Sequence, residues 1–320
     1  MTKIKTVGIA GSGLIGAGWA ARLLYRGVDV IAYDPWPGAE ERLRAAVEVA
    51  WPAMQNLFPS SGKRGNLVFT HDVEAMASQA DFIHEAAPEK IEVKRTVFQD
   101  LDQYSRPDVV IASSSSGYLP SLLQEECRRP ERVMIGHPFN PVYILPLVEL
   151  VAGKRTSEAA FSQAKKYFAS LDMKVLPLKR EIEGYICDRL QEALWREALH
   201  ILNKDIGTTQ DIDDALTYSA GMRWAFMGSF LTYHLAGGPG GMRDFVKHFH
   251  PNDAHPWTDL QYPSWNDTLE RRLVEGCEAQ AAGRSVAEIA AQRDAVLVDM
   301  IRVFEKHGVG AGTVLPARRG

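Results

Sequence analysis

Ile4-Lys5-Thr6-Val7-Gly8-Ile9-Ala10-Gly11-Ser12-Gly13-Leu14-Ile15-Gly16 is the stretch on which the reading of this chain turns. An apolar run, Ile4–Ala10, ends in three closely spaced glycines, and Leu14–Arg26 continues with helical spacing. Each glycine has its own physical task in such a strand–turn–helix. Gly11 permits a tight turn, Gly13 lets backbone approach a pyrophosphate, and Gly16 allows close packing of helix on strand. The helix start, with Ser12, Leu14 and Ile15, offers unpaired N–H groups and the positive end of a dipole to phosphates. The next strand, Val28–Asp34, closes on Asp34, whose carboxylate suits ribose hydroxyls and repels a 2′-phosphate, so NAD is favoured over NADP. Taken alone, the glycines also suit FAD or a turn that binds nothing.

Outward from this motif, apolar runs recur at Leu67–Thr70, Asp81–Ala86, Val109–Ala112, Arg132–His137, Leu147–Val151 and Lys174–Leu178. Runs that are apolar throughout fit strands covered on both faces of a parallel sheet. Helical segments, including Ala39–Asn56, Glu92–Gln103 and Ser157–Ser170, fill the gaps. This is the rhythm of an α/β chain with an N-terminal Rossmann-type doubly wound sheet. Past about Glu181 strand signals vanish. Gly184–Asp205, Thr208–Tyr218, Thr268–Ala281 and Ser285–Lys306 read as helices, and Thr208-x-x-Asp211 reads as a capping box. The spacing therefore predicts a cofactor domain over 1–182 and a mostly α-helical domain over 183–320.

Composition narrows the function classes. Among 320 residues, 36 Lys+Arg stand against 40 Asp+Glu, a net charge of -4, so no basic face recommends nucleic acid as a partner. No apolar stretch approaches the ~18 residues of a membrane span. The start of the chain enters a strand pattern without a signal-peptide core. Three cysteines, Cys127, Cys187 and Cys277, are scattered and odd in number, as expected of reduced thiols in the cytoplasm. His248, His250 and His255 match no common zinc spacing, so no metal is expected.

Three segments carry candidate chemistry. Ser113–Ser116 follows a strand, His137-Pro138-Phe139-Asn140-Pro141 ends another, and Glu149 sits within an apolar strand. A glutamate there is costly without a partner, and a histidine at a strand's C-terminal end lies where open α/β sheets bind ligands. A His137–Glu149 pair would satisfy both groups, whether as a catalytic pair or as a structural ion pair. These segments make the chain resemble the 3-hydroxyacyl-CoA dehydrogenase family over nearly its whole length. His137–Pro141 is similar to the family's H-x-F-N-P motif, Leu147–Glu149 to its L-V-E motif, and Ser113–Ser116 to its serine loop. Glu85-Ala86-Ala87-Pro88-Glu89 with Val93-Lys94 looks like its E-x(3)-E…VK stretch. The resemblance implies Ser116, His137 and Glu149 as catalytic residues, with Glu89, Lys94 and Asn140 near the nicotinamide end of NAD. It also implies oxidation of a secondary alcohol with His137 as general base, and a homodimer formed largely through the helical domain.

Two departures bear on substrate. The family's G-F-x-x-N-R motif corresponds to Gly184-Tyr185-Ile186-Cys187-Asp188-Arg189, so an asparagine has become Asp188. A carboxylate there suits a cationic substrate, unless it merely pairs with a neighbour such as Arg189. Arg223, in Gly221-Met222-Arg223-Trp224-Ala225-Phe226, offers a fork for a free carboxylate, unless it is only a surface arginine. Quaternary ammonium groups are held on aromatic faces, for which Trp224, Phe226, Tyr233 and Trp257 are available. These stretches look like the branch of the family acting on L-carnitine. Relatives acting on gulonate, 3-hydroxybutyrate or a 3-hydroxyacyl-CoA are the alternatives, along with a relative that binds NAD without turnover.

Overall fold

The computed structural model describes residues 4–58, 62–226, 228–248, 261, 264 and 266–315. Its first unit comprises residues 1–186, with Leu297–Arg302 and the C-terminal segment from Val314. In chain order the unit runs β1 (Thr6–Ala10), α1 (Leu14–Tyr25), β2 (Asp29–Tyr33), α2 (Ala39–Leu57), β3 (Leu67–Thr70), α3 (Val73–Ala77) and β4 (Phe82–Glu85). It continues with α4 (Ile91–Tyr104), β5 (Val110–Ser113), α5 (Pro120–Leu123), β6 (Val133–Pro138), β7 (Leu147–Ala152), α6 (Glu158–Ser170) and β8 (Lys174–Pro177). The eight strands form one sheet in the order β3-β2-β1-β4-β5-β6-β7-β8. Apolar strands become central because helices cover both faces. Val7, Ile9, Ile83, Ile111, Val133 and Ile135 are fully buried.

The sheet is parallel except at one step. β3 through β6 are parallel, but β7 runs antiparallel to β6, and β8 then runs parallel to β7. A parallel crossover takes a dozen or more residues, usually a helix, and the chain has only residues 139–146 between β6 and β7. The reversal puts His137 directly opposite Glu149 in the ladder.

The second unit comprises Cys187–Val296 and Val303–Thr313 and is helical. It contains α7 (Cys187–Asn203), α8 (Thr209–Ala215), α9 (Gly221–Trp224), α10 (Gly228–Ala236), α11 (Met242–His248), α12 (Asp267–Ala281) and most of α13 (Val286–His307). The capping box is formed: Thr208 Oγ1 accepts from the Asp211 N–H at 3.1 Å, and Asp211 Oδ2 accepts from the Thr208 N–H at 2.9 Å. Two helices differ from their sequence spacing. α7 starts at Cys187 rather than Gly184, because Gly184 and Tyr185 take φ of 69° and 47° and so break the right-handed path. The helix from Thr209 widens into a π-helical turn over Leu216–Ala220 before α9.

Candidate active site

The glycine loop behaves as its spacing suggests. Gly11 has φ of 99°, and a Cβ on it would lie 2.4 Å from the Ala86 carbonyl oxygen. A Cβ on Gly16 would lie 1.9 Å from the Gly11 carbonyl oxygen, so helix and turn can close only on glycine. Gly13 is different: a Cβ there would meet nothing within 4 Å. Gly13 caps α1 without a side-chain bond, and Gly13 and Leu14 are exposed. The first turn of α1 thus presents its N–H groups beside open space, the arrangement that a pyrophosphate fits. Asp34 follows β2, and its Oδ2 accepts from both the N–H and the Oγ of Ser12, at 2.9 and 2.8 Å. That carboxylate ties the glycine loop to the end of β2 and presents the acid that a ribose diol requires.

Next to this loop, the ends of β4 and β5 are joined by a buried polar network. Lys94 and Glu85 are almost wholly buried, and Lys94 Nζ lies 2.9 Å from Glu85 Oε1 and 3.2 Å from Glu89 Oε2. Glu85 accepts from Ser113 Oγ, and Glu89 Oε1 accepts from Ser115 Oγ at 2.5 Å. The Tyr118 N–H donates to Ser115 Oγ at 3.1 Å. Alternate serines are therefore turned inward onto two carboxylates that share one lysine, while Ser116 is exposed. Glu85, Ser113 and Ser115 fall within quoted motifs, but the sequence alone assigns them no role of their own. The available signal was an acid at the buried end of a strand followed nine residues later, on a helix, by a lysine equally cut off from water.

His137 and Glu149 meet across the β6–β7 ladder. His137 Nδ1 lies 3.0 Å from Glu149 Oε2, and both side chains are buried. Glu149 Oε1 accepts from the Ile186 N–H at 2.9 Å. The imidazole is flanked by the rings of Phe139 and Tyr185, at centroid distances of 4.7 and 5.4 Å. With Nδ1–H donated to a carboxylate, the tautomer is fixed and Nε2 carries the lone pair. Asn140, two residues beyond β6, is exposed.

The substrate residues expected from sequence lie on the helical unit. Asp188 is in the first turn of α7, where its Oδ1 accepts from Gln191 Nε2 at 3.1 Å. Arg223 and Trp224 close α9, with Arg223 exposed and Trp224 half-buried. Phe226 is 42% exposed and Tyr233 is 45% exposed. Tyr233 packs on Phe245 at 5.0 Å, and among the described residues no ring contact joins Trp224, Phe226 and Tyr233. Trp257, His250 and His255 lie outside the described residues. Among the described residues, no helix is long and apolar enough to cross a membrane.

The comparisons with known proteins agree with this geometry. The family described as 3-hydroxyacyl-CoA dehydrogenase, NAD binding domain, matches residues 6–182, and 3-hydroxyacyl-CoA dehydrogenase, C-terminal domain, matches residues 184–275. The L-carnitine dehydrogenase of Bacillus cereus is 46% identical over 309 residues, which is 96% of this chain and 95% of that protein. The L-carnitine dehydrogenase of Pseudomonas aeruginosa is 48% identical over 303 residues, 94% of each chain. Among solved structures, 5-formyl-3-hydroxy-2-methylpyridine 4-carboxylic acid 5-dehydrogenase, an NAD+ dependent dismutase, superposes with a TM-score of 0.81 at 26% identity, covering 95% of this chain and 99% of that one. An open glycine loop capped by an acid, a His–Glu pair set by one antiparallel step, and both family domains in order lead to one assignment: the chain is an NAD-dependent oxidoreductase of the 3-hydroxyacyl-CoA dehydrogenase family.

Proposed function

We propose that this protein oxidises the C3 hydroxyl of L-carnitine to 3-dehydrocarnitine with NAD. The observation that carries the reading is the near-full-length identity to the L-carnitine dehydrogenases, combined with Asp188 at the position where the wider family has an asparagine. NAD, when bound, supplies the hydride acceptor. The chain's own residues do the rest. His137 Nε2 removes the hydroxyl proton, and Glu149 holds the ring by Nδ1 and stabilises the imidazolium that forms. Ser116, on the exposed turn of the serine loop, donates a hydrogen bond to the reacting oxygen. Gly11, Ser12, Gly13, Leu14, Ile15 and Gly16 hold the pyrophosphate, and Asp34 holds the adenosine ribose. Glu89, Lys94 and Asn140 border the nicotinamide end; Lys94, being buried, contributes by fixing Glu89.

Recognition of the two charged ends of carnitine falls to the helical unit in this reading. Arg223 takes the carboxylate as a fork. Asp188, with Trp224, Phe226 and Tyr233, takes the trimethylammonium, an ion that aromatic faces and a nearby carboxylate attract. The division of labour follows the chain, with residues 1–182 for cofactor and chemistry and residues 183–320 for substrate.

The functional protein is proposed to be a cytoplasmic homodimer. Leu190, Phe230 and Leu235 on the helical unit are 65%, 86% and 60% exposed, which suits burial against a second copy. Sedimentation equilibrium tests that part, with a monomer at micromolar concentration as the contrary result.

The activity itself is tested by NADH formation from L-carnitine, L-gulonate, 3-hydroxybutyrate and a 3-hydroxyacyl-CoA. Turnover confined to L-carnitine is expected. Turnover of gulonate or hydroxybutyrate at equal efficiency would leave the His137 chemistry standing and remove the role given to Asp188.

A further inference from the structure

Tyr185 is the residue whose geometry the family assignment does not explain. It precedes Ile186, the last residue of the long N-terminal stretch of the first unit, and it takes φ of 47°, which side-chain-bearing residues rarely adopt. Such a conformation persists only where surrounding contacts over-determine it. Three contacts do so here. The ring is fully buried and lies 5.4 Å from the His137 imidazole at an interplanar angle of 58°. Its hydroxyl donates to the Tyr118 carbonyl oxygen at 2.8 Å. The following N–H, that of Ile186, donates to Glu149 Oε1 at 2.9 Å.

Tyr118 is the far end of the serine loop, and its own N–H donates to Ser115 Oγ, the neighbour of Ser116. Two adjacent residues of one strap therefore hold the His137–Glu149 pair on one side and the serine loop on the other. A further bond fastens the strap upstream, where Ser121 Oγ donates to Glu181 Oε1 at 2.6 Å. Glu85 and Glu89 anchor the serines, with Glu89 also accepting from the Gly117 N–H at 3.4 Å, and the Tyr185 hydroxyl adds a bond to the Tyr118 carbonyl just beyond them.

We propose that Tyr185 is a positioning residue: its hydroxyl, through the Tyr118 carbonyl, fixes where Ser116 stands relative to His137. The proposal rests on the role given to Ser116 above. Phenylalanine at this position keeps the ring against His137 and removes the hydroxyl's bond to the Tyr118 carbonyl, so Tyr185→Phe probes that bond. In the full-length protein its kcat for L-carnitine should fall about five- to tenfold, the loss expected for one hydrogen bond. NADH affinity by fluorescence titration should stay at the wild-type value, and Tm should fall by only the few degrees that one lost buried hydrogen bond costs. In a Ser116→Ala background the same substitution should cost less than about twofold, because residues that act through one another are not additive.

An unchanged kcat in Tyr185→Phe overturns the proposal, as does an equal loss in both backgrounds. A loss accompanied by weaker NADH binding also overturns it, because it would show a general packing role. If Ser116→Ala itself turns over like wild type, the assignment of Ser116 fails first, and Tyr185 is left with no serine to position.

Discussion

The two units of this chain hold their functional residues in opposite ways. In the first, most of the candidates are bonded into the strand ends and the loops that follow them. His137 and Glu149 face each other because of strand register, Asp34 is fixed by Ser12, and the serine loop is strapped by Glu85, Glu89 and Lys94. In the second, Arg223 and Tyr233 are exposed on short helices and Phe226 on the turn after α9, which follows a π-helical turn. Chemistry needs reacting atoms held to a fraction of an ångström, and a buried ladder gives that. Substrate choice needs complementary charge and surface, which helices can vary without disturbing the ladder. The lesson is a separation: mutations in the first unit should change rate or folding, and mutations in the second should change which molecule is accepted.

The largest expected effect lies in the first unit. His137→Ala should lower kcat by roughly 10³-fold, within the range for a lost general base, while NADH binding measured by fluorescence stays intact. Substantial remaining turnover would show that the ladder pair is structural only. Next comes the buried ion pair. Lys94→Met should destabilise the protein by about 3–5 kcal/mol in urea unfolding, because Glu85 would be left charged without its partner. The double variant Glu85→Gln/Lys94→Met should recover part of that loss, and no recovery would mean the pair does not act as a unit.

Changes in the helical unit should be smaller and of another kind. Asp188→Asn should raise KM for L-carnitine about tenfold, as expected for losing one charged contact, with kcat altered little. An unchanged KM would reduce Asp188 to a helix-surface residue.

The smallest effect at neutral pH belongs to His84. This ring is fully buried, stacked on Trp19 at 4.2 Å and bonded through Nε2 to Tyr167 Oη at 2.9 Å. Burial pushes its pKa down from 6.5 to about 3. Because the folded value is the lower one, stability is complete above 6.5 and declines as pH falls toward 3, where unfolded chains bind a proton that folded ones refuse. His84→Phe should flatten that acid limb, seen as a smaller drop in the urea midpoint between neutral pH and about pH 5. An unchanged limb would assign acid sensitivity to the carboxylates alone.

What the sequence disclosed follows the same division. The glycine loop, Asp34 and the central strands were legible because local rules govern them: apolar runs, tight turns and helix starts. The His137–Glu149 pair was legible as two groups that each needed a partner, but not as a register. The continuous apolar pattern says nothing of strand direction at β7, and the short connector at 139–146 is what marks the reversal. Ser115, Glu85 and Tyr185 sit in recognisable motifs, but their roles were not legible because they arise from bonds between segments distant in the chain. In the helical unit the capping box at Thr208 was readable, whereas the π-helical turn after Ala215 follows no local signature.

One measurement tests the separation of chemistry from choice most directly. The kcat/KM ratio for L-carnitine over its neutral isostere, with carbon in place of the quaternary nitrogen, is compared in wild type, Ser116→Ala and Asp188→Asn. Ser116→Ala should lower both rates and leave the ratio, while Asp188→Asn should collapse the ratio and leave turnover of the isostere. A ratio that survives Asp188→Asn, or that falls in Ser116→Ala, would contradict that separation.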